Sequence, residues 1–324
     1  MSLSLRLLSL VFSLFLCAFA LASPAAAAQG PDPEWLREIG DWRSERFMRL
    51  RSPDGWLTLT GLYWLHEETS RFGGSPANEL VLAGAPPLVG TFEVADGKIE
   101  FTAAPGVEVR SEERRVDRIA LASDADGAPT VLTSGSLGFF VIRRGERLAL
   151  RVRDREAATL REFRGLDYFP VHPAWRVRAR LEPAPPGTTF PVPNVTGTVD
   201  ATPTPGNLRF RVGETEYRLV ALREGDDEEL FVVFGDETNG EETYGGGRFL
   251  AAPAPGPDGT LWLDFNRAYN PPCAFTPYAT CPVPPRENRL PFRVEAGEKR
   301  YAGGHCRRGR ALSLRSAPRR RGRR

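Results

Sequence analysis

Apolar residues recur at helical spacing once, near the start of the chain, and at strand spacing over much of the remainder. Trp35, Ile39, Trp42, Phe47 and Leu50 fall on one stripe, with Arg37, Glu38, Arg43 and Glu45 largely off it. Asp32-Pro33-Glu34 opens this stretch with a capping side chain, a proline suited to the first helical turn and an acid at the positive end of the dipole. Ser52-Pro53 closes it, because proline disfavours helical backbone in its predecessor. The spacing predicts an amphipathic helix between these signals. Alone, its two tryptophans would be exposed, so it needs a sheet to lie on.

The remaining pattern predicts short strands separated by turns, at 56–60, 91–94, 98–101, 130–133, 138–143, 148–153, 175–181, 208–212, 217–222, 229–234, 248–251, 261–265 and 292–295. Leu148-Ala149-Leu150-Arg151-Val152-Arg153 shows the alternation of period two. Ala95-Asp96-Gly97 between two such runs is a hairpin signal. No helical crossover separates the strands, which favours antiparallel pairing over a βαβ arrangement. The expected fold is mainly β, an antiparallel sandwich or barrel-like sheet with an N-terminal amphipathic helix. Residues 29–305 show no composition break and are expected to form a single domain, without internal repeats.

The two ends differ from this body. A single Arg6 precedes an apolar run, Leu7 to Leu21, then Ser23-Pro24-Ala25-Ala26-Ala27-Ala28. This is the pattern of a secretory signal, residues 1–28, cleaved after Ala28. The run is shorter than the roughly 20 residues of a membrane span, so the mature chain is expected to lack one and to be periplasmic or secreted. Residues 306–324 form an Arg-rich, disordered extension that either touches anionic surfaces or is simply solvated. The formal charge is +2, yet nine Arg lie in 307–324 and one in 1–28. Without those ten positive charges the remainder carries −8, which argues against a specific nucleic-acid partner.

An exported chain can hold a disulfide. Cys273 and Cys281, with seven residues between them, are the expected pair, with Cys306 left over. A metal site from this pair and a histidine departs from the usual C-x₂₋₄-C spacing, and no metal or cofactor is expected. His66, His172 and His305 do not pair at ligand spacing, and no H-E-x-x-H, P-loop or dinucleotide fingerprint appears. Ser134-Gly135-Ser136-Leu137-Gly138 lacks the glycine two before Ser136 that a nucleophile elbow needs, and reads as a turn.

The densest segment runs from Tyr244 to Arg289. It contains Gly245-Gly246-Gly247-Arg248, then Asp264-Phe265-Asn266-Arg267-Ala268-Tyr269-Asn270-Pro271-Pro272-Cys273, then Cys281-Pro282-Val283-Pro284-Pro285 and Asn288-Arg289-Leu290. Together with Gly55-Trp56-Leu57-Thr58-Leu59-Thr60-Gly61-Leu62-Tyr63-Trp64-Leu65, Phe163-Arg164-Gly165-Leu166 and Asp236-Glu237-Thr238, it resembles the signature of the bacterial and archaeal DUF1684 family. The resemblance covers nearly all of 42–298. It implies a shared fold and carries no established activity.

The residues of the segment offer a carboxylate and an amide on one strand face if Asp264 and Asn266 continue the strand. The long proline-rich stretch 269–285 then forms one wall of a pocket. The leading expectation is a small polar or anionic ligand held by Arg248, Asp264, Asn266, Arg267, Asn270, Tyr278 and Arg289. Alternatives are a hydrolase with Asp264 as acid or base, and a structural or interaction module of the cell envelope in which these polar groups pin the loop to the sheet.

Overall fold

The computed structural model describes residues 31–224 and 228–303. The expectations for the signal peptide, its cleavage site, Cys306 and the basic extension lie outside these residues. Helix α1 spans Pro33–Arg51, and Asp32 caps it by accepting the Glu34 amide at 3.0 Å. Ser52, in extended backbone ahead of Pro53, ends it as predicted. Trp35, Ile39 and Leu50 are buried, and Trp42 is half-buried. Arg46 is the unexpected member of the buried stripe, while Phe47 stays 36% exposed.

The strands form several sheets, antiparallel apart from one short parallel pairing between Thr69–Gly73 and Leu80–Val81. In the N-terminal half, Leu59–Trp64, Arg147–Asp154, Leu137–Arg144 and Leu132–Ser134 lie side by side, extended by two short strands. A second sheet holds Thr69–Gly73, Gly90–Ala95, Lys98–Ala103 and Arg118–Leu121, with Leu80–Val81 at its edge. Inward-facing alternate residues of both sheets make one apolar cluster. Its centre is four rings, Phe72, Phe92, Phe101 and Phe139, with neighbouring centroids 5.0–6.2 Å apart. The predicted hairpin turns at Asp96-Gly97, where both residues have positive φ (51° and 71°) and Ala95 faces Lys98.

The C-terminal half repeats the two-layer principle. Thr215–Ala221, Gly206–Val212, Arg176–Pro183 and Thr260–Asp264 form a four-stranded sheet in that order. Leu230–Phe234 and Arg248–Ala252 form a two-stranded ribbon sharing a core with it, around Phe210, Phe234, Leu263 and Phe265. No sheet closes into a barrel among the described residues. The predicted strand at 292–295 does not form. Its backbone groups are taken by buried side chains instead: Asp236 accepts from the Val294 amide at 3.1 Å, and Arg248 donates to the Val294 and Ala296 carbonyls. Asn288 bridges in a similar way, donating to Val220 O and Val233 O and accepting from Val220 N where two strands do not pair directly.

Residues 269–285 hold only one short 3₁₀ turn, Pro272–Ala274, and run along the seam between the halves. Thr276 Oγ1 donates to Leu59 O at 3.1 Å, and Thr280 Oγ1 accepts from Arg144 and Arg151 at 3.0 and 3.1 Å. The Val283 amide donates to Pro193 O at 2.8 Å, on a separate hairpin.

Candidate functional site

Asp264 ends its strand and opens a 3₁₀ turn, Phe265–Arg267, so the chain does not continue as an extended strand through Asn266. The turn changes the roles expected for these polar groups. Asp264 Oδ1 accepts from the Asn266 amide at 3.0 Å and from Asn266 Nδ2 at 2.9 Å. Its Oδ2 accepts from Trp35 Nε1 at 2.7 Å, tying α1 to the sheet. Asn266, fully buried, also exchanges two hydrogen bonds with the His172 backbone. His172 itself accepts the Ala174 amide on Nδ1 and caps a short turn.

Other expected ligand-binding residues are likewise occupied by the fold. Arg248 is 0% exposed and pairs with Asp236 at 2.8 Å, in addition to its two carbonyls. An ion pair without access to water is costly unless its hydrogen-bonding capacity is used, which explains these contacts. Gly247 stands before it at φ +87°, where a Cβ would meet Pro284 Cγ at 2.3 Å. The glycine run therefore permits close packing on the proline-rich segment. Asn270 donates its amide to Glu298 at 2.7 Å and its side chain to Lys299 O at 2.8 Å. Arg289 is exposed and lies beside Gly235.

A cleft of about 950 Å³ lies between α1 and the C-terminal body. Asp264 and Arg267 line it, whereas Arg248, Asn266, Asn270, Tyr278 and Arg289 do not. Tyr278 packs behind it, in the apolar cluster that contains Trp56 and Tyr269. One wall is α1, with Glu38, Asp41, Trp42, Glu45, Arg46 and Arg49. The other is supplied by Arg176, Glu229, Trp262 and Tyr269, and Asp54 and Trp56 close one end. Trp56 and Tyr269 stand in the sequence motifs and Trp42 on the helical stripe, but only the packing of α1 against the sheet brings them to one cavity.

Most cleft guanidiniums have a protein partner. Arg46 pairs with buried Glu298 at 2.9 Å, donates to Asn270 O at 2.8 Å and lies 4.8 Å from the Tyr269 ring centre. Arg267 pairs with Glu38 at 2.9 Å. Arg176 lies over the Trp35 and Trp262 rings, at 5.3 and 5.1 Å. Arg49 has no ion pair among the described residues, and neither have Asp41, Glu45 or Glu229. Burial pushes the Tyr269 phenol up to about 12, so it is a neutral donor and acceptor at physiological pH.

Cys273 and Cys281 are free thiols and not the expected disulfide. A hydrogen bond stands in place of the covalent link: the Cys273 amide donates to Cys281 Sγ at 3.1 Å. Among the described residues, no group of three His, Cys, Asp or Glu side chains is placed to hold a metal ion.

Fold and cleft together define a mainly β protein with an N-terminal helix laid across its C-terminal sheet. The chain belongs to the family described as protein of unknown function (DUF1684), whose model matches residues 161–299. That range contains the C-terminal sheets and the seam segment, while α1 and the Gly55–Leu65 motif lie before it. A solution NMR structure of an uncharacterized protein from Haloarcula marismortui, gene locus rrnAC0354, is 33% identical. The similarity covers 43% of this chain and 78% of that one, with a TM-score of 0.35. No curated protein matches the chain.

Proposed function

We propose that this is an exported protein that binds a small polar ligand in the α1 cleft. The observation that carries the reading is the cleft's lining: Trp42, Trp56, Trp262 and Tyr269 alternate with hydrogen-bonding and charged groups within about 950 Å³. Aromatic faces suit the apolar side of a ligand, and convergent polar groups fix its orientation. Six carboxylates line the cleft against four guanidiniums, and two of those guanidiniums are already ion-paired. That balance favours a polar ligand over a strongly anionic one. Asp264 spends both oxygens on three structural donors, which favours binding over proton transfer at this residue.

Native mass spectrometry of the secreted chain, compared with the denatured mass, tests the reading. A reproducible adduct lost on denaturation is expected. Its identity then allows titration by tryptophan fluorescence. Arg49→Ala and Glu229→Gln, both on exposed cleft positions, should weaken binding about tenfold each, the loss of one good hydrogen bond. Unchanged affinity in both variants and in Trp56→Ala, with folding retained, would remove the cleft from consideration.

A further inference from the structure

We propose that Cys273 and Cys281 form a thiol–disulfide exchange site, in which Cys273 attacks and Cys281 resolves. The inference is independent of the ligand in the cleft. The Cys273 amide lies 3.1 Å from Cys281 Sγ. The irregular segment between them folds back, and Cys273 Sγ lies 3.6 Å from Ala279 O. Pro272–Ala274 is a 3₁₀ turn that holds Cys273 in position.

The two sulfurs differ in access. Cys281 is 4% exposed, and Cys273 is half-buried. A dissolved disulfide therefore meets Cys273 first. The surroundings favour its thiolate. A hydrogen bond from Cys281 holds the Cys273 thiol below its ordinary value, and the Arg151 guanidinium adds to this. Burial pushes Cys281 upward. Arg151 is itself buried and is anchored on Thr280, the residue before Cys281. Thiolate character and access together select the attacking sulfur of a pair.

The oxidant is a low-molecular-weight disulfide. Cys273 thiolate attacks one of its sulfurs, forms a mixed disulfide and expels the first thiolate. Cys281 gives its proton to solvent and attacks Cys273 Sγ, expelling the second. The protein has then lost two electrons and two protons, and the small disulfide has become two thiols. The new bond closes the loop that carries Thr276 and Thr280, the residues holding the seam to the N-terminal sheet. Oxidation thus stiffens the junction between the halves.

The test uses the full-length chain and glutathione disulfide as the probe. The native protein is incubated, residual thiols are trapped with N-ethylmaleimide, and the peptides are mapped. A Cys273–Cys281 cross-link, lighter by two hydrogens, is the expected product. Cys281→Ser should stop at a stable glutathione adduct on Cys273. Cys273→Ser should take up glutathione about tenfold more slowly at Cys281, because the accessible thiolate is gone. Circular dichroism checks that both variants fold. Three results would overturn the proposal: an adduct on Cys273 of the natural sequence that never advances, first reaction at Cys281, or a cross-link formed only after unfolding in urea.

Discussion

Asp264, Arg248, Asn266, Asn270 and Asn288 stand out in the sequence as polar groups crowded into one segment, and all five are buried. What each does depends on partners far along the chain. Asp264 holds a tryptophan 229 positions away, and Arg248 holds the backbone at 294 and 296. Local spacing marks such residues as unusual but does not distinguish a ligand contact from a structural one. Removing one member of a buried pair leaves the other charge unsolvated. Arg248→Met should therefore destabilise by about 3–5 kcal/mol, read as a lower midpoint in urea at unchanged slope. A loss under about 1 kcal/mol would contradict the role assigned to this pair.

Glu79 makes part of the stability depend on pH. The Arg71 side chain, at 2.8 and 3.1 Å, and the Arg71 amide, at 2.8 Å, hold its carboxyl down from 4.5 to about 2. A lowered folded-state value stabilises above the ordinary value, and the contribution fades as pH falls through the folded one. Glu79→Gln should be less stable than the natural sequence near neutrality, and the gap should close between pH 4.5 and about 2. The pair is largely exposed and the gap correspondingly small. NMR titration of the Glu79 carboxyl would reveal an ordinary midpoint if Arg71 does not hold it.

Elements are legible in the sequence where local signals agree with the packing. The cap at Asp32, the stop at Ser52-Pro53 and the Asp96-Gly97 turn all carry their own backbone instructions. Asp32→Ala should cost about 1 kcal/mol through the lost cap, measured by thermal or urea unfolding. An unchanged stability would mean that α1 is held by Trp35 and its other buried contacts alone. Residues 292–295 have a strand-like pattern but no strand neighbour, and two buried side chains satisfy their backbone instead. The short strands at Thr189–Pro193 and Val199–Pro203 escape sequence reading because prolines within them argue against strands. They form a two-stranded hairpin with each other, and the Val283 amide bonds to it at Pro193 O.

At the scale of the whole molecule, the cleft exists because α1 crosses the C-terminal sheet. Two buried links fix that crossing, Trp35 to Asp264 and Arg46 to Glu298. Glu298→Gln should remove the charge opposite Arg46 and loosen the helix. Increased hydrogen exchange across α1, with the N-terminal sheets unaffected, is the expected readout. Uniform exchange across both halves would instead mean that helix and sheets open as one unit.

That the chain is mainly β, where its first helix starts and stops, and which segment departs from simple alternation were all legible from local pattern. These properties follow from periodicity, caps and turns, which act over a few residues. Tertiary structure alone decided that Arg46 is buried, that Arg248 serves the backbone, and that Trp42, Trp262 and Tyr269 share a cavity. Those outcomes depend on which distant groups meet. A buried polar atom takes whichever partner the packing brings within hydrogen-bonding distance, and no local pattern specifies that partner.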